Sequence, residues 1–154
     1  MMLIGRYEFD FVETIELIKG KDGRVAYEPQ QRYKKAKEIP LHEYGAGEFC
    51  KFKLNKAKDV SGVYAWVIND EVVYIGEAVN FRKRFNMGYG NISPKNCYKG
   101  GQKTNCKMNR VVLEKHRKNN SIDIYFFETP LYKEIEKELL LSFSTKYNVK
   151  NNTW

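Results

Sequence analysis

The chain is poor in the residues that build metal sites and disulfide frameworks. It has three cysteines, Cys50, Cys97 and Cys106, and two histidines, His42 and His116. No two of the cysteines are close in the sequence, and with so few histidines no spacing typical of a zinc site can be assembled. We therefore expect reduced thiols in a cytoplasmic protein.

Long apolar runs are also absent. The N-terminal segment MMLIGRYEFDFVE carries acidic residues and has no apolar stretch long enough for a signal peptide or a membrane helix. We therefore expect neither export nor membrane insertion.

Positive charge and aromatic side chains are plentiful. There are 27 Lys and Arg residues against 19 Asp and Glu, a net charge of +8, and 11 tyrosines. A length of 154 residues suffices for one domain with its own core. The basic surplus favours an acidic partner such as nucleic acid, although charge alone does not identify one.

A tyrosine-bearing hairpin is predicted in the middle of the chain. The runs Gly62-Val63-Tyr64 and Tyr74-Ile75-Gly76 lie on either side of Asn69-Asp70, with β-branched and aromatic residues between them. A short basic helix, Asn80–Asn86, is predicted to follow. Phenols beside guanidinium groups are suited to holding a phosphate.

The N-terminal 60 residues are predicted to form a hairpin and a basic connector. Tyr7–Ile18 and Arg24–Tyr27 have extended character on either side of turn residues, so they predict a hairpin. Gln30–Gly47 is interpreted as a solvated connector, with contact to DNA as the alternative, and Phe49–Leu54 as a short strand. The predicted domain organisation is therefore 1–60 as this region and 61–154 as the core, with a basic insertion at 87–119.

The insertion contains the densest positive charge. Apolar residues at helical spacing predict a helix over Thr104–Asn119. Its basic side is either a solvated face or a surface that follows DNA phosphates. The candidate DNA-binding residues here and in the preceding helix are Arg82, Lys83, Lys95, Lys99, Lys103, Lys107, Asn109 and Arg110.

A strand and a helix are predicted to complete the chain. Ser121–Glu128 alternates as a strand does, and Thr129-Pro130 predicts an N-cap and first turn for a helix to about Tyr147. The predicted buried stripe of this helix is Leu131, Ile135, Leu139 and Phe143. Glu136 borders the stripe, either as a surface residue at its edge or as a ligand aimed into a cleft.

Taken together and in this order, these residues resemble the signature of the GIY-YIG nucleases. The resemblance extends from Ser61 to Asn148 and consists of the two tyrosine triplets, Arg84, Glu136 and Asn148. The hairpin and basic helix are most similar to phage endonuclease II. The insertion is more similar to the small type II restriction endonucleases of the superfamily. The resemblance implies an α/β (α+β) fold with a small three-stranded mixed sheet flanked by helices, to which the pattern of the N-terminal residues adds a β-hairpin arm.

The resemblance also implies roles for individual residues. Its catalytic set is Tyr64, Tyr74, Arg84, Glu136 and Asn148. Glu136 is the implied ligand of Mg²⁺, for which Mn²⁺ can substitute, and Arg84 the implied phosphate contact. Tyr64 is the implied general base, a role that Tyr74 can share. A phenol, with a pKa near 10, needs neighbouring cations to act as a base at neutral pH.

Without the resemblance, other interpretations stay open for these residues. Tyr64 and Tyr74 can be half-buried strand tyrosines, and Asn148 can cap the last helix. Two positions depart from the pattern of the relatives. Gly88 stands where several carry a histidine or tyrosine, and Glu77 stands where a lysine is frequent.

The function implied is magnesium-dependent hydrolysis of phosphodiester bonds in double-stranded DNA. Cleavage is expected at a short recognition sequence, by a homodimer or higher homo-oligomer, and leaves 5′-phosphate and 3′-hydroxyl ends. One alternative is a low-specificity DNA nuclease of the phage endonuclease II type. The other is a non-catalytic nucleic-acid-binding module that keeps the fold.

Overall fold

The computed structural model describes residues 1–149 and has a mixed α+β architecture. The last five residues of the predicted core, 150–154, lie outside the described part. The strands are β1 (Met2–Ile4), β2 (Tyr7–Thr14), β3 (Ala26–Tyr27), β4 (Phe49–Cys50), β5 (Gly62–Ile68), β6 (Glu71–Ala78) and β7 (Asp123–Glu128), and the α-helices are α1 (Phe81–Lys83), α2 (Lys103–Arg117) and α3 (Tyr132–Ser142).

The chain forms two compact units, each discontinuous in sequence. The first unit contains Met1–Thr14, Asn55–Arg82 and the chain from Asn120 onward. The second unit contains Ile15–Leu54 and Lys83–Asn119. Each unit therefore takes chain from both sides of the boundary predicted at residue 60.

The first unit is built on an antiparallel sheet. Its five strands lie in the order β1-β2-β7-β5-β6, and every neighbouring pair is antiparallel. The predicted three-stranded mixed sheet is therefore wrong in strand number and in direction. Because β2 pairs along the outer edge of β7, the N-terminal strands extend the sheet instead of forming a separate arm.

The central hairpin is confirmed. β5 and β6 pair through a turn at Asn69 and Asp70, whose φ angles are 51° and 62°. Positive φ at both positions is typical of the tight turns that match the twist of two paired strands, and asparagine and aspartate tolerate it better than most residues. The predicted third strand is also confirmed, as β7, which pairs with β5.

Alternation along β5 and β6 assigns their side chains to two faces. On one face Val63, Ala65 and Ile75 form a core with Ile135 and Leu139 of α3. The two outer members of the predicted α3 stripe are wrong, since the side chains of Leu131 and Phe143 are 57% and 43% exposed. The reason is that α3 is shorter than predicted.

The start of α3 also differs from the prediction. Leu131 occupies the N-cap position of a helix that begins at Tyr132. Thr129 is buried and accepts a hydrogen bond from the Leu131 N–H at 3.0 Å, so it ends the connection from β7 instead of capping the helix.

The second unit has little regular sheet. β3 pairs with β4, so the predicted hairpin of Tyr7–Ile18 with Arg24–Tyr27 is wrong. The predicted turn does form, with the Gly23 N–H donating to the Gly20 carbonyl at 3.0 Å. The chain before the turn pairs elsewhere, since the end of β2 pairs with β7 and Leu17 forms an antiparallel bridge with Phe52.

The helices around the insertion follow the prediction with shifted ends. α1 continues directly into a π-helix, Arg84–Tyr89, and a 3₁₀ turn, Pro94–Cys97, precedes α2. Cys50, Cys97 and Cys106 are free and buried. Within the described residues, no helix combines the length and apolar character needed to cross a membrane.

Candidate active site

Tyr64 lies directly across from Gly76 on the neighbouring strand. The two residues are register partners of β5 and β6, and the phenol ring covers the glycine. A Cβ atom built on Gly76 would lie 2.5 Å from Cζ of Tyr64, closer than real Cβ contacts come. Glycine is therefore required here by the close approach of the ring.

The ring of Tyr64 belongs to an aromatic stack. It stacks on Phe81 with a centroid distance of 6.3 Å, and Phe81 in turn lies 4.0 Å from Phe126 at an interplanar angle of 6°. The side chain of Tyr64 is only 1% exposed. This burial favours the structural interpretation of Tyr64 over its predicted role as general base.

Tyr74 differs from Tyr64 in exposure. Alternation on β6 gives it the same face of the sheet as Tyr64, where its ring packs edge-on against Trp66 at 6.1 Å and 79°. Tyr74 keeps partial exposure, whereas Tyr64 and Trp66 are buried. Of the two signature phenols, Tyr74 is therefore the one with surface available to a substrate.

Asn148 is bound to the free edge of β6. Its Nδ2 donates to the Ile75 carbonyl at 2.8 Å, and its Oδ1 accepts from the Ile75 N–H at 2.9 Å. Thr145 Oγ1 also donates to Oδ1. The interpretation of Asn148 as a helix cap is wrong, because α3 ends at Ser142. Its amide makes the two backbone hydrogen bonds that a neighbouring strand would make, and so fixes the backbone beside Tyr74.

Glu136 is a partly buried acid close to a second acid, Glu77. It follows the core residue Ile135 on α3, while Glu77 lies two residues beyond Ile75 on the same face of β6. Burial, and secondly the charge of Glu77, raises the pKa of Glu136 to about 7. The departure noted at Glu77 therefore affects the predicted metal ligand directly.

Arg84 belongs to the second unit, whereas the other four signature residues belong to the first. Its Nη1 donates a hydrogen bond to Oδ1 of Asn105, and its Cζ lies 4.0 Å from the ring centroid of Tyr89. Asn105 was not predicted as a functional residue. The signal that pointed to this region was Gly88, one of the two positions that depart from the GIY-YIG pattern.

The predicted DNA-binding residues have different surroundings. Lys83, Lys95, Lys99, Lys103 and Arg110 are exposed, and Arg82 and Lys107 are partly so. Two of them form ion pairs, Arg82 with Asp59 at 2.7 Å and Lys103 with Glu43 at 2.8 Å. Burial lowers the pKa of Lys107. These cations stay predictions as DNA contacts.

Asn109 requires a correction. Its side chain is 0% exposed, so it has no surface with which to contact DNA in this structure. Oδ1 accepts from the Cys50 N–H at 2.9 Å, and Nδ2 donates to the carbonyls of Cys50 and Tyr89 at 2.8 and 2.7 Å. Asn109 is therefore a structural residue that ties α2 to two neighbouring backbone segments.

No protein-family model, curated protein or solved structure matches the chain. The assignment of site residues therefore depends on the geometry of this chain and on its sequence signature.

Proposed function

We propose that the protein is a magnesium-dependent endonuclease that hydrolyses phosphodiester bonds of double-stranded DNA with a site of the GIY-YIG type. One observation carries the proposal. Three residues that are distant in sequence meet at the stretch Tyr74–Glu77 of β6. Tyr64 covers Gly76, Asn148 binds the backbone of β6, and the charge of Glu77 contributes to the raised pKa of Glu136.

The distribution of charge supports DNA as the substrate. Of the 27 Lys and Arg residues, 19 belong to the second unit, together with only 7 of the 19 Asp and Glu. The first unit holds the other 8 basic residues and 12 acidic ones. A strongly cationic unit is suited to the phosphate backbone of duplex DNA, with binding that weakens as salt is added.

The acids of the first unit are compatible with Mg²⁺. Within the described residues, no group of three or more His, Cys, Asp or Glu side chains could hold a metal. A site with only one or two acidic ligands is compatible with Mg²⁺, because this ion keeps several water ligands and is usually held by one or two carboxylates. Glu136 is partly buried beside the like charge of Glu77. A divalent cation would offset both the cost of burying the carboxylate and its repulsion by Glu77. When bound, it would neutralise charge developing on the phosphate and leaving oxygens.

Side chains of the protein are proposed for the remaining catalytic roles. Tyr74, the partly exposed phenol, is proposed to orient the attacking water and, as the phenolate, to take its proton. Arg84 is proposed to donate hydrogen bonds to the phosphate oxygens, for which its planar fork is suited. Asn148 is a positioning residue, because both of its amide atoms are engaged by the backbone of β6.

The test is a digest of plasmid DNA with magnesium, with EDTA as the blank. Glu136→Gln should bind DNA as the wild type does but lose at least about 100-fold in cleavage rate, because it removes a charged ligand with little change in shape. Glu134→Gln is the matched control, since Glu134 is an exposed acid on the same helix. Cleavage by Glu136→Gln at the wild-type rate would remove Glu136 from the mechanism.

The burial of Tyr64 favours one second candidate, a nucleic-acid-binding module without catalysis. DNA that stays intact with magnesium at every salt concentration, while the protein still binds it, would support the module. If DNA is cut, the sequence of the ends distinguishes two modes of action. Discrete ends indicate a restriction-type enzyme, which we propose is a homodimer, and scattered ends indicate a low-specificity nuclease.

A further inference from the structure

The side chain of Arg84 is surrounded by residues that no signature includes. In the second unit its guanidinium group lies over the ring of Tyr89 and donates to the amide oxygen of Asn105. Asn105 lies in the first turn of α2 and is 4% exposed, whereas Arg84 itself is partly exposed. The guanidinium is thus held from the buried side.

The π-helix explains how Gly88 and Tyr89 both reach Arg84. A π-helix closes hydrogen bonds between residues five apart, as the Gly90 N–H does with the Phe85 carbonyl at 2.7 Å. This wider turn brings Gly88 and Tyr89, four and five residues after Arg84, onto the arginine's own side. The aromatic face of Tyr89 can then attract the cation.

Gly88 keeps the space that this arrangement needs. A Cβ atom at Gly88 would lie 2.9 Å from Nη1 of Arg84, and the amide atoms of Asn105 lie 3.5 and 3.6 Å from the same point. Any side chain at position 88 would therefore displace the guanidinium. The glycine at this position thus leaves room for Arg84 between Asn105 and Tyr89.

From these contacts we infer that Asn105, with Gly88 and Tyr89, holds Arg84 in position for a phosphate of the substrate. The inference rests on the proposed nuclease function for its consequence in catalysis. A neutral amide is suited to this role, because it accepts an N–H without neutralising the charge of the guanidinium that a phosphate would meet. Asn105 is therefore a positioning residue that acts through Arg84.

Two variants test the inference. Asn105→Ala removes the acceptor, and Gly88→Ala introduces the conflicting methyl group. Both should lower kcat about 10- to 100-fold while KM for DNA changes by less than about threefold, because a misplaced catalytic group mainly affects the reaction step. Thr104→Ala is the matched control, since Thr104 is an exposed neighbour on α2.

Gly88→Ala separates positioning from stability. Alanine is a better helix former than glycine, and the atom it meets is the far end of a flexible side chain. The variant should therefore unfold at or above the wild-type temperature and still lose activity. Full activity in either variant would overturn the inference.

A readout that does not need activity completes the test. In the wild type and in Thr104→Ala, the NMR signals of the Arg84 guanidinium, identified by their loss in Arg84→Lys, should show restricted rotation. In Asn105→Ala and Gly88→Ala they should show free rotation, and unaltered signals would overturn the inference. A wild type that does not cleave DNA would refute the proposed function instead, and the guanidinium signals would still decide how Arg84 is held.

Discussion

The two units satisfy their backbone hydrogen bonds in different ways. In the first unit the strands of the sheet pair with one another. In the second unit the paired strands are short, and side chains supply hydrogen-bond partners for the backbone. Within the described residues, four of the five buried polar side chains belong to the second unit, namely Gln30, His42, Asn105 and Asn109, and of these Gln30, His42 and Asn109 are hydrogen-bonded to backbone groups. Buried N–H and C=O groups need partners, so a unit with little sheet depends on individual amides.

This difference suggests that single residues have unequal importance in the two units. Gln30 donates to the Ala46 carbonyl at 2.9 Å, and Asn86 binds both polar groups of the Leu54 backbone at 2.8 and 3.3 Å. Each of these side chains makes hydrogen bonds that a neighbouring strand would otherwise make. In the first unit the same device occurs at the free edge of β6, where Asn148 binds Ile75.

The largest effect should come from Asn109→Ala in the second unit. It removes the hydrogen bonds that Asn109 makes to three buried backbone groups, two on Cys50 and one on Tyr89. Losing a buried hydrogen bond of this kind costs about 1–3 kcal/mol, so we expect a loss of roughly 3–5 kcal/mol in the free energy of unfolding. Hydrogen exchange at the Cys50 amide is the direct measurement.

The control for this variant is Asn91→Ala, which changes an exposed asparagine of the same unit. It should leave hydrogen exchange at Cys50 unchanged. Exchange at Cys50 in Asn109→Ala that matches the wild type would contradict the contrast between the units, because it would mean that the amide contributes no protection.

A smaller effect is expected from Gly76→Ala in the first unit. The added methyl group meets the ring of Tyr64, which is buried and cannot move aside freely. Overpacking of this kind costs about 1–3 kcal/mol. Denaturation followed by the fluorescence of Trp66, in a Trp154→Phe background, would measure the loss.

A double variant identifies the cause. Combined with Tyr64→Val, Gly76→Ala should cost much less than it does alone, because the ring that it meets is gone. Equal costs in the two backgrounds would show that Gly76 is needed for the backbone of β6 and not for the approach of Tyr64.

The same contrast explains which features the sequence predicted. Apolar alternation and the Asn69-Asp70 turn are local signals, so β5, β6 and β7 could be located before the structure was known. The addition of β1 and β2 to the edge of β7 depends on long-range pairing, which no local pattern contains. The N-terminal strands were therefore assigned to the wrong partner.

Buried amides were harder to predict than strands. Asn109 lies on a basic helix, and asparagine is common on surfaces that read DNA. The residue type and its position therefore suggested a DNA contact. Only the three-dimensional position of Cys50 and Tyr89 identifies it as structural. Asn105 was missed for the same reason, because its partner Arg84 lies 21 residues earlier in the chain.

A further effect expected in the first unit is a dependence of stability on pH. The pKa of Glu136 is raised from 4.5 to about 7. Between these values the folded state binds more protons than the unfolded state, so the stability of the wild type should fall as pH rises from about 4.5 to 7 and then level off. Denaturation in EDTA at several pH values, followed by Trp66 fluorescence, measures this slope.

Glu136→Gln should remove this part of the slope, and Glu134→Gln, the exposed neighbour, should follow the wild type. Glu77→Gln distinguishes the two causes of the shift. Because burial contributes more than the charge of Glu77, most of the slope should persist in this variant. If Glu77→Gln removed the slope completely, the charge of Glu77, and not burial, would be the main cause of the raised pKa of Glu136.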